Sequence, residues 1–474
     1  MSLADLIPEA FWPQGQALLA ALPTLALALA LLAGLLVLGT ALGQWLGTHQ
    51  WGIPEALLAG GLGLLLAPDG PLPLFPPAVL PLWDELPLIL LTMVFASLLL
   101  GKPLPSIGGL KRPLLAQVLL ALSLAFGQYL VAALAVWLVL QPLLGVPSVM
   151  ACLIEVAYEG GHGSAAAMGP TYARLGLESG AALGLALATV GLLASTLVGG
   201  LLVLLGRRRG WVAREKKPQK APSAVSPLPV SSLPHPPERQ APAAKALTPA
   251  VIAVNLMLTG TAVLIGWLML EALRLVAARS GGLIAMVIDA LPVFPLALVG
   301  SLLVRLLLER SGREALVAPK LQSRIGTLSA DLLITAATAC LDLSLLARDW
   351  LPLTVLAGVG LIWNLAVILL LAPRLLPASW FERALVEFGQ ATGVAASGLL
   401  LLNMVDPDDD NGSLTPFSIK QLILQPFLAG GVITVVSPLA VTGWGLPLWS
   451  GFCLALVSLF ILTGLWLGRS RDLA

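Results

Sequence analysis

Charge is what this sequence has least of. Only 11% of its 474 residues are Asp, Glu, Lys or Arg, against roughly a quarter in a soluble domain. The 58% that are hydrophobic are more than a soluble core could hide. Neither sign dominates: 26 Lys and Arg against 25 Asp and Glu leave a net charge of +1, which excludes a basic footprint for nucleic acid and an acidic tail. Cysteine is nearly missing. Cys152, Cys340 and Cys453 stand in apolar stretches without CxxC spacing, so they read as small hydrophobes and exclude a disulfide or thiolate metal framework. There is no HExxH, no GxSxG and no Cys/His pair at catalytic spacing, so an enzyme is not expected. No basic stretch precedes the first apolar run, only Asp5 and Glu9. A retained first helix is expected rather than a cleaved signal peptide.

What the sequence does have is long hydrophobic runs. A bilayer core of roughly 30 Å needs about 20 apolar residues in helix, and eleven runs approach that length. They lie near 13–46, 52–68, 85–101, 114–140 and 179–206, then near 249–273, 283–308, 325–346, 351–373, 417–442 and 447–468. The fold class expected is therefore an all-α integral membrane protein of about eleven transmembrane helices, in contact with lipid and something small. Two further apolar segments, near 148–168 and 384–402, are too rich in Gly, Ser and Thr to be ordinary spans.

The short loops holding Lys102, Lys111 and Arg112, then Arg207–Arg209, then Arg310, Arg313, Lys320 and Arg324, and finally Arg469 and Arg471 fall on one side. By the positive-inside rule that side is the cytoplasm, with the N-terminus outside and the C-terminus inside, although Arg174, Arg274 and Arg279 run against the pattern. Residues 207–248 carry eight prolines among many Lys and Arg and are expected to be a disordered cytoplasmic linker. Five spans precede it. An odd number inserts a second copy upside down, so the halves 1–206 and 249–474 are expected to form an inverted-topology repeat, each with a Gly-rich broken segment before its last shared span. In such repeats the broken helices of both halves meet at the midplane and form the binding site.

The first broken segment reads IEVAYEGGHGSAAAMGPTYARLG, Ile154 to Gly176, and the second EFGQATGVAASGLLLLNMVDPDDDNGSLTP, Glu387 to Pro416. Non-helical backbone at membrane depth is tolerated only where it is buried in protein or lines water, so each is expected to be a re-entrant hairpin. The acidic run ending at Asp410 lacks the spacing and later Glu of a calcium loop and reads as a solvated loop or a helix-start signal.

The stretch GGHGSAAAMGP, with the helix LGLALATVGLLASTLVGGLL after it, resembles the first signature of the sodium/glutamate symporter family. GQATGVAASGLLLLNMVDPD resembles the second signature of one branch of that family. The resemblance implies two re-entrant hairpins meeting at the midplane and Na⁺-coupled uptake of an acidic amino acid in the bacterial inner membrane. Na⁺ is then the coupling ion, no organic cofactor is needed, and a homodimer is left open. Carried over position by position, Gly160, Gly161, His162, Gly163 and Ser164 of the first loop and Gly389, Gln390, Thr392 and Gly393 of the second would bind substrate. Arg174 either pairs with a distal carboxylate or stands at the outer surface. Glu159 is offered either to a substrate ammonium or to Na⁺, or else pairs with Arg174 or faces solvent at the hairpin rim; Asp331, Ser397 and Asn403 are further oxygen donors offered to Na⁺. The second loop lacks a full GGxG, and Asn403 stands before VDP where the branch carries a basic residue, so the identity of the anion is open. His162 is a gate, a neutral donor or a packed histidine, and Asn364 reads as an interhelical hydrogen bond. The rival functions are a Na⁺/H⁺ antiporter or a citrate-type carrier, with Glu155, Glu159 and Asp331 carrying protons.

Overall fold

The computed structural model describes residues 12–48, 54–68, 70–100, 111–212, 248–280, 288, 291–341, 343–376, 379–407 and 409–469. Among them every regular element is helical and none is a strand. A helix satisfies its own backbone, the condition hydrocarbon imposes. Seven helices among the described residues are long and apolar enough to cross a membrane: Pro23–Leu46, Pro77–Leu98, Arg112–Leu144, Gly180–Arg209, Pro249–Arg279, Trp350–Leu375 and Leu446–Gly468.

Eleven spans were expected, and the four that differ do so for local reasons. The run 52–68 is helical only over the 12 residues Glu55–Leu66, about 18 Å of helix. The run 283–308 is Val293–Arg310 and ends in Arg305, Glu309 and Arg310. Arg305 and Glu309 pair at 2.7 Å. The run 325–346 is Pro319–Ala339 followed by Leu343–Arg348, and Lys320, Arg324 and Asp331 on the first of these make it too polar. The run 417–442 is two helices, Leu414–Leu424 and Val432–Trp444, because Pro426, Gly430 and Gly431 interrupt it.

The chain forms two compact units. The smaller comprises Met1–His49, Pro54–Pro87 and Asp331–Leu341. Its core is Ala28, Leu32, Leu35, Ala59, Val79, Trp83, Ala336 and Ala339, and the Trp83 indole N–H is satisfied by the Ala28 carbonyl at 3.0 Å. Small residues let its helices touch: a Cβ on Gly60 would lie 2.4 Å from Thr338.

The larger unit holds the rest. Two of its long helices share an unusual ending. Lys111–Ala135 passes through a π turn, Val136–Leu140, into Gln141–Leu144. Trp350–Ala366 passes through a π turn, Val367–Leu371, into Ala372–Leu375. The sequences are VWLVLQPLL and VILLLAPRL. A proline at the same place in each, Pro142 and Pro373, has no N–H to give and pushes on the preceding turn, so an extra residue bulges.

Arg207, Arg208 and Arg209 form the last turn of Gly180–Arg209, where the helix dipole favours cations, and Gly210 at φ 69° ends it. Of the expected linker, residues 213–247 lie outside the described residues, as do Asp5, Glu9, Lys102, Asp342, Asp408 and Arg471. The acidic loop is a set of caps: Asp406 accepts the Asp410 and Asn411 N–H groups, and Asp409 accepts the Leu414 N–H that opens the next helix. Burial raises the Asp409 pKa above its usual range, offset by that Leu414 N–H and reinforced by the Asp406 charge.

Candidate functional site

Three helix breaks come together inside the larger unit. The first lies between Leu153–Tyr158 and Gly161–Arg174. The Glu155 carbonyl takes the N–H groups of both Glu159 and Gly160 there, at 2.9 and 3.2 Å. Gly161 then turns at φ +66°. The second lies between Trp380–Thr392 and Ala395–Val405, where Val394 is extended. The third is residues 425–431, between Leu414–Leu424 and Val432–Trp444. The breaks touch through glycine. A Cβ on Gly161 would lie 2.9 Å from Val394 Cγ1, and one on Gly430, itself at φ +95°, would lie 2.4 Å from Ser164 Oγ. Only glycine fits both the handedness and the space.

Each of the first two breaks carries a glutamate six residues before its turn glycine, Glu155 before Gly161 and Glu387 before Gly393. Both are fully buried. Burying a carboxylate is costly unless its oxygens are bonded, and here they are. Glu155 Oε2 accepts the Tyr129 hydroxyl at 2.6 Å, while Oε1 accepts the Ala429 N–H and the Thr434 hydroxyl, each at 3.1 Å. The first carboxylate thus stands at the third break, over the N-terminal end of Val432–Trp444, where the helix dipole favours an anion. Glu387 Oε1 accepts the Gln117 amide at 2.7 Å, and Oε2 the Lys420 ammonium at 2.9 Å. The Lys420 and Glu387 side chains are 3% and 1% exposed. Gln117 is itself held, its Oε1 accepting Arg383 Nε at 2.9 Å.

A second polar group repairs the second break. The Ala391 carbonyl accepts Gln128 Nε2 at 2.7 Å and Asn364 Nδ2 at 2.8 Å. Gln128 also donates to Asn364 Oδ1 at 3.1 Å, and Asn364 to the Thr392 hydroxyl at 3.1 Å. Asn364, read from the sequence as an interhelical bond, is one.

Where the three breaks meet there is a small cavity lined by Ala121, Glu159, Gln390, Lys420, Gln425 and Ala429, among others. Its free space is about 10 Å³, room for about one water. Glu159 feels Lys420 as an opposite charge and Glu155 and Glu387 as like charges. Gln390 Oε1 is buried without a partner. Opposite charges and an unspent acceptor around one space can receive a ligand that carries both signs.

The structure brings some of the sequence-derived candidates here and not others. Glu159 and Gln390 line the cavity. Gly160 and Gly161 form the first turn and Gly393 the second, with buried Ser397 beside it. Ser164 packs on Gly430, and Gly389 crosses the other arm of its own hairpin against Gly398. His162 is buried and its Nε2 lies 3.0 Å from the Thr189 hydroxyl, which fits a packed histidine, while Gly163 next to it is half-buried. The Thr392 hydroxyl accepts from Asn364. Arg174 is exposed and bonded to Pro170 and Thr171 on its own helix. Asn403 is exposed on Ala395–Val405, and Asp331 belongs to the smaller unit. Among the described residues no group of three or more His, Cys, Asp or Glu is arranged as a metal site. Lys420, Gln117, Tyr129, Gln128 and the role of Glu387 are not in the sequence reading at all. The signal for Lys420 was there: a lysine inside an apolar run.

Seven long apolar helices among the described residues, with buried polar groups bonded between them, define a multi-pass membrane protein. The model of the sodium/glutamate symporter family matches residues 19–378. The chain therefore belongs to the sodium/glutamate symporter family, whose activity is transport and not catalysis. No curated protein matches it. The matched stretch includes the first break and stops before the second, so Glu387, Gln390 and Lys420 lie beyond it.

Proposed function

We propose that this protein is a secondary active transporter that couples Na⁺ to the uptake of glutamate or a related acidic amino acid by alternating access. The observation that carries this is the placement of an acid, Glu159, and a cation, Lys420, on one cavity where three helix breaks meet. An acidic amino acid brings two carboxylates and one ammonium. Lys420 and the Gln390 and Gln425 amides answer the carboxylates, together with N–H groups freed at the breaks; Glu159 answers the ammonium. The glycine turns, Gly160–Gly163 and Gly389–Gly393, are the tips of two re-entrant hairpins. The carboxylates of the site are the hard oxygen donors that Na⁺ seeks.

The two halves, 1–206 and 249–474, are inverted copies joined by the linker 207–248. What supports this is the recurrence of one order of elements: a long helix, a π turn at VWLVLQPLL or VILLLAPRL, then a broken element with a glutamate six residues before its glycine. Free space of about 10 Å³ is far below the volume of glutamate, so loading requires the surrounding elements to part, which is the motion alternating access supplies. The protein lies in the bacterial inner membrane with its N-terminus outside and its C-terminus in the cytoplasm.

The test is uptake of radiolabelled glutamate into proteoliposomes under an inward Na⁺ gradient, against K⁺ alone, with aspartate, citrate and glutamine as competitors. Na⁺-dependent accumulation competed by glutamate-like anions is expected. Accumulation equal with and without Na⁺, or competition by citrate alone, overturns the reading.

A further inference from the structure

The Lys420–Glu387 pair poses a problem that packing does not answer. A fully buried ion pair is weak evidence for stability, since well-packed apolar residues of the same volume serve as well or better. Yet Lys420 sits in the last two turns of Leu414–Leu424, shortly before the third helix break, with its ammonium on Glu387 at 2.9 Å and over the Phe417 ring, 4.6 Å from its centroid. The same lysine lines the cavity with Glu159 and Gln390. It therefore stands between two partners, Glu387 on one side and whatever enters the cavity on the other.

Glu159 lies within electrostatic reach of both Glu155 and Glu387, and of the Lys420 cation. Arg383, close by, is engaged with Gln117 Oε1 and the Pro113 carbonyl. The carboxylates do not share donors equally. Glu155 takes three hydrogen bonds that remain whatever Lys420 does. Glu387 takes one neutral donor, Gln117, and Lys420. Of the two, Glu387 is the carboxylate that loses most if the lysine turns away, and a buried carboxylate left with a single neutral donor draws in another cation.

We propose that Lys420 is a tethered cation that exchanges partners, and that this exchange couples the two cargoes. With the cavity empty of substrate, Lys420 neutralises Glu387 and keeps Na⁺ from it. An entering carboxylate draws the ammonium across the cavity, a movement its flexible four-carbon stem allows. The Glu387 carboxylate, still held by Gln117, then takes Na⁺ in place of the lysine. Substrate and Na⁺ each remove the other's competitor, so each tightens the other, and by linkage the two effects are equal in size. This rests on the symport function proposed above and assigns its cooperativity to one pair of side chains.

The experiment measures glutamate affinity of the full-length purified protein in detergent by isothermal titration calorimetry, across a series of NaCl concentrations with choline chloride holding ionic strength. Wild type is expected to bind at least about tenfold more tightly at high Na⁺, a change of about 1.4 kcal/mol. In Glu387→Gln, Lys420 is free from the start. Glutamate then binds without Na⁺ at least as well as it does to wild type without Na⁺, and Na⁺ no longer shifts the affinity by more than about twofold. Glu387→Gln/Lys420→Met removes both charges and leaves neither buried alone, so it guards against a folding failure of the single variant. It is expected to bind glutamate weakly at every Na⁺ concentration. Wild-type Na⁺ dependence persisting in either variant overturns the exchange while leaving the symport function standing. Wild type whose glutamate affinity ignores Na⁺ overturns both.

Discussion

The Tyr129 hydroxyl donates to Glu155 Oε2 at 2.6 Å, and both groups are fully buried. The bond joins the long helix Lys111–Ala135 to the first arm of the first broken element, while the other oxygen of the same carboxylate reaches the third break. Tyr129 in turn accepts from Ser437 at 3.2 Å. Tyr129→Phe keeps the ring and deletes the donor. Hydrogen bonds to charged groups are worth about 1.5–3 kcal/mol, so a loss of stability of that order is expected in thermal unfolding, with uptake reduced.

Glu159→Gln tests the site itself. The substitution keeps the shape and a hydrogen-bond acceptor and removes the charge offered to a substrate ammonium. Loss of one charge-assisted bond of about 1.5–3 kcal/mol corresponds to a rise in glutamate KM of about 10- to 100-fold, read by initial uptake rates, with the protein still eluting as wild type in size exclusion.

Gly430→Ala places a methyl group at φ +95° and 2.4 Å from Ser164 Oγ. Left-handed strain and the clash together are expected to cost about 1–3 kcal/mol. Adding Ser164→Ala removes the oxygen but not the backbone strain, so the double variant recovers part of the loss in unfolding temperature. Full recovery would mean that the conformation costs nothing; no recovery would mean that the two residues do not touch.

Gln128→Leu and Asn364→Leu each strip one donor from the Ala391 carbonyl at the second break. Each is expected to destabilise by about 1–3 kcal/mol. Because Gln128 and Asn364 also bond each other at 3.1 Å, the double variant should fall short of the sum, measured by chemical unfolding of all three.

Arg174→Ala and Asn403→Arg change residues the structure leaves exposed. Neither is expected to move the glutamate KM by more than about twofold, since surface substitutions away from structural features are nearly neutral. A switch of substrate preference in Asn403→Arg would restore it to the binding machinery.

The sequence carried the class of this protein plainly, because hydropathy over twenty residues is a physical requirement of the bilayer and each residue contributes to it independently. It also carried the two Gly-rich breaks, where glycine is required by local backbone geometry. The third break was hidden. Residues 417–442 are apolar enough on average to read as one span, and averaging over the window erased Pro426, Gly430 and Gly431 along with Lys420. The partners were hidden for another reason. Glu387 and Lys420 are 33 residues apart and Gln117 and Glu387 are 270 apart, and no local pattern says that a lone lysine will meet a particular glutamate. The likeness of VWLVLQPLL and VILLLAPRL was hidden too, since hydropathy does not distinguish a π turn from the α-helix around it.

The Glu155 clamp also sets a schedule. Its backbone donor at Ala429 lies 274 residues further along the chain. At about 5–20 residues per second during synthesis, the carboxylate waits between about 14 and about 55 seconds for that N–H to be made. Over that interval the first half is inserted with an unfinished polar centre. Ala429 and Thr434 are the residues that close it, so the order in which the chain emerges leaves this carboxylate uncapped until the third break has been made.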